Sequence, residues 1–277
     1  MVSPQEARQR TDAVMELHEA GELEEAVEEV ESLLAVLQDE HDLDDPVLRE
    51  SLFTSRFERA VLLTELGDLD AAAQAYAVAA TTPADLDDPD QRHEIALALL
   101  NRGICLDTVG DHATAVTVYA DLVARFHDAD DPVTVDQVVR ARVNQAAALL
   151  ALERGEEALA SAAQISAELD PTDVVTAEQH VMALRLQAAA LQAAGDLDAA
   201  VEVLRQRGEV TLEDPPARAQ VAAAAQEHAQ LLVELDRVAE ALVVLDAALE
   251  DAELEIDPEV TDVLDGLRSD RWRLAAR

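Results

Sequence analysis

The chain has 277 residues, 49% hydrophobic but only 2% aromatic, so its core is expected to be mostly alanine, leucine and valine. Fifty-nine acidic residues against 20 basic ones, every one an arginine, give a formal net charge of −39. That charge excludes binding to nucleic acid or an anionic membrane through the general field, and the single cysteine, Cys105, excludes an intramolecular disulfide or a cysteine metal cluster.

The first residues, MVSPQEARQR, are followed by no apolar core, and no run approaches the roughly 18 apolar residues of a membrane span, so a cytoplasmic location is expected. Ser3-Pro4 reads as a helix start, and residues 5 to 40 make a first helical pair with Leu17 and Leu23 flanking its corner. The acidic stretch HDLDDP leads to a second pair over 47 to 80, carrying Phe57, Ala60, Leu63 and Tyr76. A longer linker, TTPADLDDPD, contains Pro83 and precedes pairs three and four, which start near Pro89 and Pro132. The third pair is the clearest. Leu99, Gly103, Leu106 and Val109 fall at helical spacing, Gly110-Asp111 breaks the pattern, and Ala115, Tyr119 and Leu122 resume it. Gly103 and Ala115 are small where the two helices would cross. Cys105 on this stripe reads as a small core residue. Pair five, from Pro171, contains Gln187-Ala188; pair six, from Pro215-Pro216, contains the alanine-rich run from Val221 to Ala225. Residues 258 to 277 read as one last helix with Val260, Val263, Leu264, Leu267 and Trp272, a cap over the final pair.

Two rulers expose the repeat. The corners Gly21-Glu-Leu-Glu-Glu-Ala26, Gly67-Asp-Leu-Asp-Ala-Ala72, Gly110-Asp-His-Ala-Thr-Ala115 and Gly195-Asp-Leu-Asp-Ala-Ala200 share one form. Glu153-Arg-Gly-Glu-Glu-Ala158 and Asp236-Arg-Val-Ala-Glu-Ala241 are variants without the leading glycine, and the six corners are 46, 43, 43, 42 and 41 residues apart. Independently, Pro46, Pro89, Pro132, Pro171, Pro215 and Pro258 each follow an aspartate. Aspartate at the N-cap with proline at the first helical position starts a helix, because proline has no N–H to leave unsatisfied there.

The corner, the small residue in the first helix and the alanine of the second together resemble the tetratricopeptide repeat over about nine-tenths of the chain. The family's period is about 34 residues, so this is similar to a long-period bacterial variant, in which an asparagine, a basic residue and a glycine follow one another in helix A. Asn101-Arg102-Gly103 fits that pattern and Asn144-Gln145-Ala146 fits it less well. Period alone would admit HEAT or armadillo arrays; the Gly-Asp-Leu-Asp-x-Ala corner argues against them. The resemblance implies an all-α, right-handed α-solenoid of about six antiparallel helix-turn-helix repeats (4–45, 46–88, 89–131, 132–170, 171–214 and 215–257), followed by a capping helix at 258–277.

Chemistry is sparse. Asp42/Asp44/Asp45, Asp85/Asp87/Asp88/Asp90 and Asp128/Asp130/Asp131 lack the glycine and terminal glutamate of a calcium loop and read as helix caps and solvating charge. The seven histidines show no metal-ligand spacing and read as surface residues. No nucleophile or phosphate-loop signature occurs, so neither an enzyme nor a cofactor is expected. The arginines are more informative, since eleven stand in A helices and three, Arg125, Arg205 and Arg207, in B helices. In tetratricopeptide arrays the A helices line a concave groove, and an asparagine one residue before the position preceding the small residue often holds a peptide ligand. The resemblance therefore implies a non-catalytic scaffold that binds a peptide or helix of a partner protein through Arg59, Asn101, Arg102, Arg140, Asn144, Gln145, Arg185 and Gln187. The alternatives are that these groups solubilise the A helices and pair with acids across repeats, that the chain is an acidic structural or mimic protein acting through its outer surface or by self-association, or, behind these, that it is an enzyme subunit.

Overall fold

A computed structural model of the chain describes residues 2–38, 45–82, 88–171, 173, 176–206, 215–252 and 258–275; within these, 215–219, 250–252, 258–265 and 267 are described by backbone alone. The described residues form thirteen α-helices and contain no strand. They fall into two units, Met1–Ala141 and Arg142–Arg277. The first holds α1 (Pro4–Glu19), α2 (Leu23–Gln38), α3 (Pro46–Glu65), α4 (Leu69–Ala79), α5 (Pro89–Thr108), α6 (His112–Phe126) and the start of α7 (Pro132–Ala151). The second holds the rest of α7, then α8 (Gly155–Glu168), α9 (Ala177–Ala193), α10 (Leu197–Arg205), α11 (Pro215–Glu234), α12 (Val238–Ala252) and α13 (Pro258–Ala275). Odd-numbered helices up to α11 are the A helices of the repeat and even-numbered ones the B helices.

The caps are where the sequence puts them. The Asp45 carboxylate accepts from the N–H of Val47 at 2.8 Å, Asp88 from that of Asp90 at 3.0 Å, and Asp131 from that of Thr134 at 2.7 Å. Ser3 accepts from Glu6 N–H at 3.2 Å. Asp214 and Asp257 lie outside the described residues, as do Asp42, Asp44, Asp85 and Asp87. At the corners, Asp68, Asp111 and Asp196 cap the B helices in the same manner at 3.1–3.2 Å. In α3, α5, α7 and α11 the A helix runs for 20 residues, and this length accounts for much of the extended period.

Each corner turns on one residue in the left-handed region. Gly21, Gly67, Gly110 and Gly195 have φ between 77° and 87°, while Glu153 and Asp236 hold 60° at the two corners without glycine. Both variants place arginine where a capping aspartate follows Gly67, Gly110 and Gly195. Arg154 instead grips Glu157 with two bonds at 2.7 and 2.6 Å, and Arg237 grips Glu240 with two at 2.8 Å.

One helix start is corrected. Pro171 lies in a turn and α9 begins at Ala177. From proline to left-handed residue the distance is 21 residues in pairs two, three, four and six, but 24 in pair five. A helix from Pro171 would overshoot by almost one turn, and the excess is taken up by turn bonds from Asp173 N–H to Asp170 O and Thr176 N–H to Asp173 O.

The core is aliphatic and thin in aromatics. In the first unit Val14, Val30, Leu33, Leu37, Leu52 and Leu62 make one buried cluster, and Ala60, Ala72, Tyr76, Leu100, Tyr119 and Leu122 belong to another. In the second, Leu184, Leu204, Ala225, Leu232 and Leu245 form the larger cluster. The close approach in the third pair is tighter than the Gly103/Ala115 reading implies: a Cβ on Gly103 would stand 2.3–2.8 Å from the Tyr119 ring. Cys105 is buried beside Thr64, and burial pushes its thiol up. Val109 and Trp272 depart from the expected apolar stripes, at 42% and 73% exposed. Val109 is the C-cap of α5, past the last buried turn. The side chains of Val260, Val263, Leu264 and Leu267 lie outside the described residues; α13 is held through Leu274 and a 2.9 Å bond from Gln226 to Asp270. The histidines are not uniformly at the surface either, since His180 and His228 are buried.

Candidate protein-binding surface

An α-helix turns about 100° per residue, so neighbouring positions on an A helix face different ways. This divides the eight candidate residues. Arg59, Arg102, Gln145 and Gln187 each stand immediately before the small residue; Asn101 and Asn144 stand one earlier. In α3 the consequence is direct. Glu58 faces α1 and bonds His18, whereas Arg59 turns to α2, where its Nε and a terminal nitrogen share Glu31 Oε1 at 3.3 and 3.1 Å.

In the first unit, the surface made by A helices carries His18, Glu58, Glu65 and Asn101. The His18 ring bonds Glu58 through Nδ1 and Glu65 through Nε2, the latter at 2.9 Å. The Glu65 bond, opposed by burial and aided by Glu58, raises the imidazole above its ordinary value. Asn101 Nδ2 donates to the Tyr76 hydroxyl at 3.4 Å. Arg102 is half-buried with no ion pair to any described residue, and Arg140 lies 3.8 Å from Asp136 on its own helix. The arginine-acid pairing across helices is general here: Arg8–Glu50 at 3.0 Å, Arg10–Glu29 at 2.6 Å, and Arg92 at 3.6 Å from Asp131.

In the second unit, Asn144, Gln145, Arg185 and Gln187 are half-buried on α7 and α9. Arg185 clamps Glu227 of α11, with Nε at 3.1 and 3.0 Å from its two carboxylate oxygens, and also donates to Gln220. Beside this clamp is a hollow of about 310 Å³, floored by Ala147 of α7, Met182, Leu186 and Ala189 of α9, and Leu231 of α11. Leu186 and Glu227 occupy the register of Asn101 and Asn144 in their repeats. The sequence shows that register, but choosing asparagine as its signature passes over Leu186, which supplies the apolar floor. The hollow can receive an aliphatic side chain, with Arg185 and Glu227 offering polar contacts at its edge.

No protein-family model matches the chain, and no curated protein matches it. Among solved structures, the quorum sensor NprR from B. thuringiensis in its apo form aligns with a TM-score of 0.63 at 13% identity, over 99% of this chain and 72% of that one. NprR in complex with its cognate peptide NprX aligns at 0.53 and 12% identity, over 99% and 74%. A kinesin light chain-like protein from Podosopora anserina with nearly identical TPR-like repeats aligns at 0.56 and 19% identity, over 75% and 95%. These likenesses, with the six corners, establish an all-α solenoid fold of the tetratricopeptide type.

Proposed function

We propose that this chain, which has the tetratricopeptide-repeat fold, is a non-catalytic scaffold that binds a peptide or helical segment of a partner protein on its A-helix surface. The observation that carries the reading is the hollow of the second unit, where three A helices surround an apolar floor beside the Arg185–Glu227 clamp. Asn144 on α7 and, in the first unit, Asn101 on α5 are side-chain amides able to donate to and accept from an extended backbone. The peptide complex of a protein with this fold supports the reading. In it the repeats over 4–257 supply the binding surfaces and 258–277 a cap, working in the cytoplasm. Among the described residues no helix is long and apolar enough to cross a membrane.

The test is selection from a random peptide library on the full chain, followed by affinity measurement on variants whose folding is checked by circular dichroism. Leu186→Asp and Arg185→Ala are each expected to weaken selected peptides at least tenfold. Val243→Asp, at a position 69% exposed on α12, is expected to leave affinity unchanged. Peptides that ignore Leu186→Asp and are lost with Val243→Asp would move the binding surface to the B helices.

A further inference from the structure

In the first unit, Arg56 is at odds with its surroundings. In a chain of net charge −39 many arginines hold a carboxylate, as Arg8, Arg10, Arg59, Arg142 and Arg185 do, yet the half-buried guanidinium of Arg56 pairs with none among the described residues. Among the described residues its one polar contact is a 3.0 Å donation to the Thr82 hydroxyl, and its buried Nε meets no acceptor there. Burial lowers its proton affinity, and no charge among the described residues offsets this. A desolvated charge left unpaired is costly.

Arg56 does not stand alone. One turn on, Arg59 lines the same hollow of about 350 Å³, which lies over α3 between α2 and α4. Its other walls are Glu31, Leu34 and Ala35 of α2 with Ala75 and Val78 of α4. Arg59 spends both its bonds on a single oxygen of Glu31, whose side chain is 53% exposed. The hollow thus has two guanidinium groups, one weakly held carboxylate already in it, and an aliphatic wall on which Val78 is 46% exposed.

We propose that this hollow is a second docking site, distinct from the one on α7, α9 and α11, that receives an acidic side chain flanked by an aliphatic residue from a partner protein. The incoming carboxylate takes the fork of Arg56 and shares or displaces Glu31 on Arg59, since a guanidinium fork matches a carboxylate's two oxygens. The neighbouring aliphatic side chain covers Leu34, Ala35 and Val78. Charge complementarity selects the occupant: the hollow's charged lining is two guanidinium groups against one partly exposed carboxylate. A carboxylate carries one charge where a phosphate group carries up to two, and the chain's negative field repels the second. The open rim selects a tethered ligand, because free small molecules bind where most of their surface is enclosed. This site stands independently of the binding function assigned to α7, α9 and α11.

The test is NMR of the arginine Nε–H signals in the full chain at 150 mM salt, assigned with Arg56→Lys and Arg59→Lys. The probes are the end-blocked peptide Ac-Ala-Glu-Leu-Ala-NH2, its Gln analogue, sodium butyrate and inorganic phosphate. The Glu peptide is expected to shift both arginine signals saturably and to bind at least tenfold tighter than the Gln peptide or butyrate. Arg56→Met is expected to weaken it at least tenfold. Glu31→Gln frees Arg59 without touching the core and should tighten it severalfold, a gain that misfolding cannot mimic. Equal binding of the Glu and Gln peptides, phosphate or butyrate binding as tightly as the Glu peptide, or no gain with Glu31→Gln would each overturn the assignment.

Discussion

Six residues with positive φ make the six corners, and four of them are glycine, for which that conformation carries no Cβ penalty. Glu153 and Asp236 bear the penalty, about 1–2 kcal/mol for an ordinary side chain. Replacing either by glycine is therefore expected to raise stability by roughly 1 kcal/mol, less any loss from glycine's unfolded-state freedom, and Gly67→Ala to lower it by about as much. Open space surrounds a Cβ at Gly67, so the alanine effect would be backbone strain alone. Thermal melts check this, with shifts of about 2–4 °C expected for a chain of this size. Gly103 is a different case. Here the penalty is steric, against a fully buried tyrosine, so Gly103→Ala should cost on the order of 1–3 kcal/mol. Shrinking the ring in Gly103→Ala/Tyr119→Leu should recover part of that loss, as the pair then copies Ala188 and Leu204 of the fifth repeat, which share one buried cluster. Urea denaturation of the single and double variants gives the comparison.

Between elements, the His18 bridge couples α1 to α3 through a titratable group. Because bonding to Glu65 and Glu58 raises the imidazole's proton affinity in the folded state, the bridge contributes fully below the unfolded value of about 6.5. Its contribution declines above that value and is gone once pH has risen through the raised folded value. Stability relative to a His18→Gln variant should thus fall as pH rises from about 6.5 through the raised folded value, read from urea midpoints at each pH; a difference that stays constant as pH rises would show that the bridge does not titrate. The capping carboxylate of Asp131 acts in the opposite direction. Burial pushes the Asp131 carboxyl up, but the Thr134 N–H and hydroxyl, with Arg92, outweigh it and hold it below the ordinary value. Asp131 therefore stabilises above about pH 4 and loses that contribution as pH falls through its lowered folded value. Cap and proline together are strictly local signals, which is why five A-helix starts were legible in the residues. The exception, Pro171, shows the limit: a helix can start only where its length also fits the neighbouring corner, and that is set by packing.

For the whole molecule, charge is the dominant variable. A formal net charge of −39 on 277 residues repels itself, and the repulsion reaches about 30 Å at 0.01 M salt but about 3 Å at 1 M. The melting temperature should accordingly rise with sodium chloride and level off toward molar salt; a flat profile would mean that the arginine-acid pairs across helices already offset the repulsion. The sequence by itself determined the helical class, the six corners, the caps and the alanine-rich core, because each of these is written in residues a few positions apart. It determined the register of the A helices too, but not what that register presents. Whether an arginine faces a ligand or a glutamate depends on a neighbour some 20 to 40 residues away, as with Arg59 and Glu31 or Arg185 and Glu227. Only the tertiary structure decided that Glu58 meets His18 while Arg59 meets Glu31, that Leu186 floors a hollow, and that the half-buried Arg56 has no carboxylate beside it among the described residues.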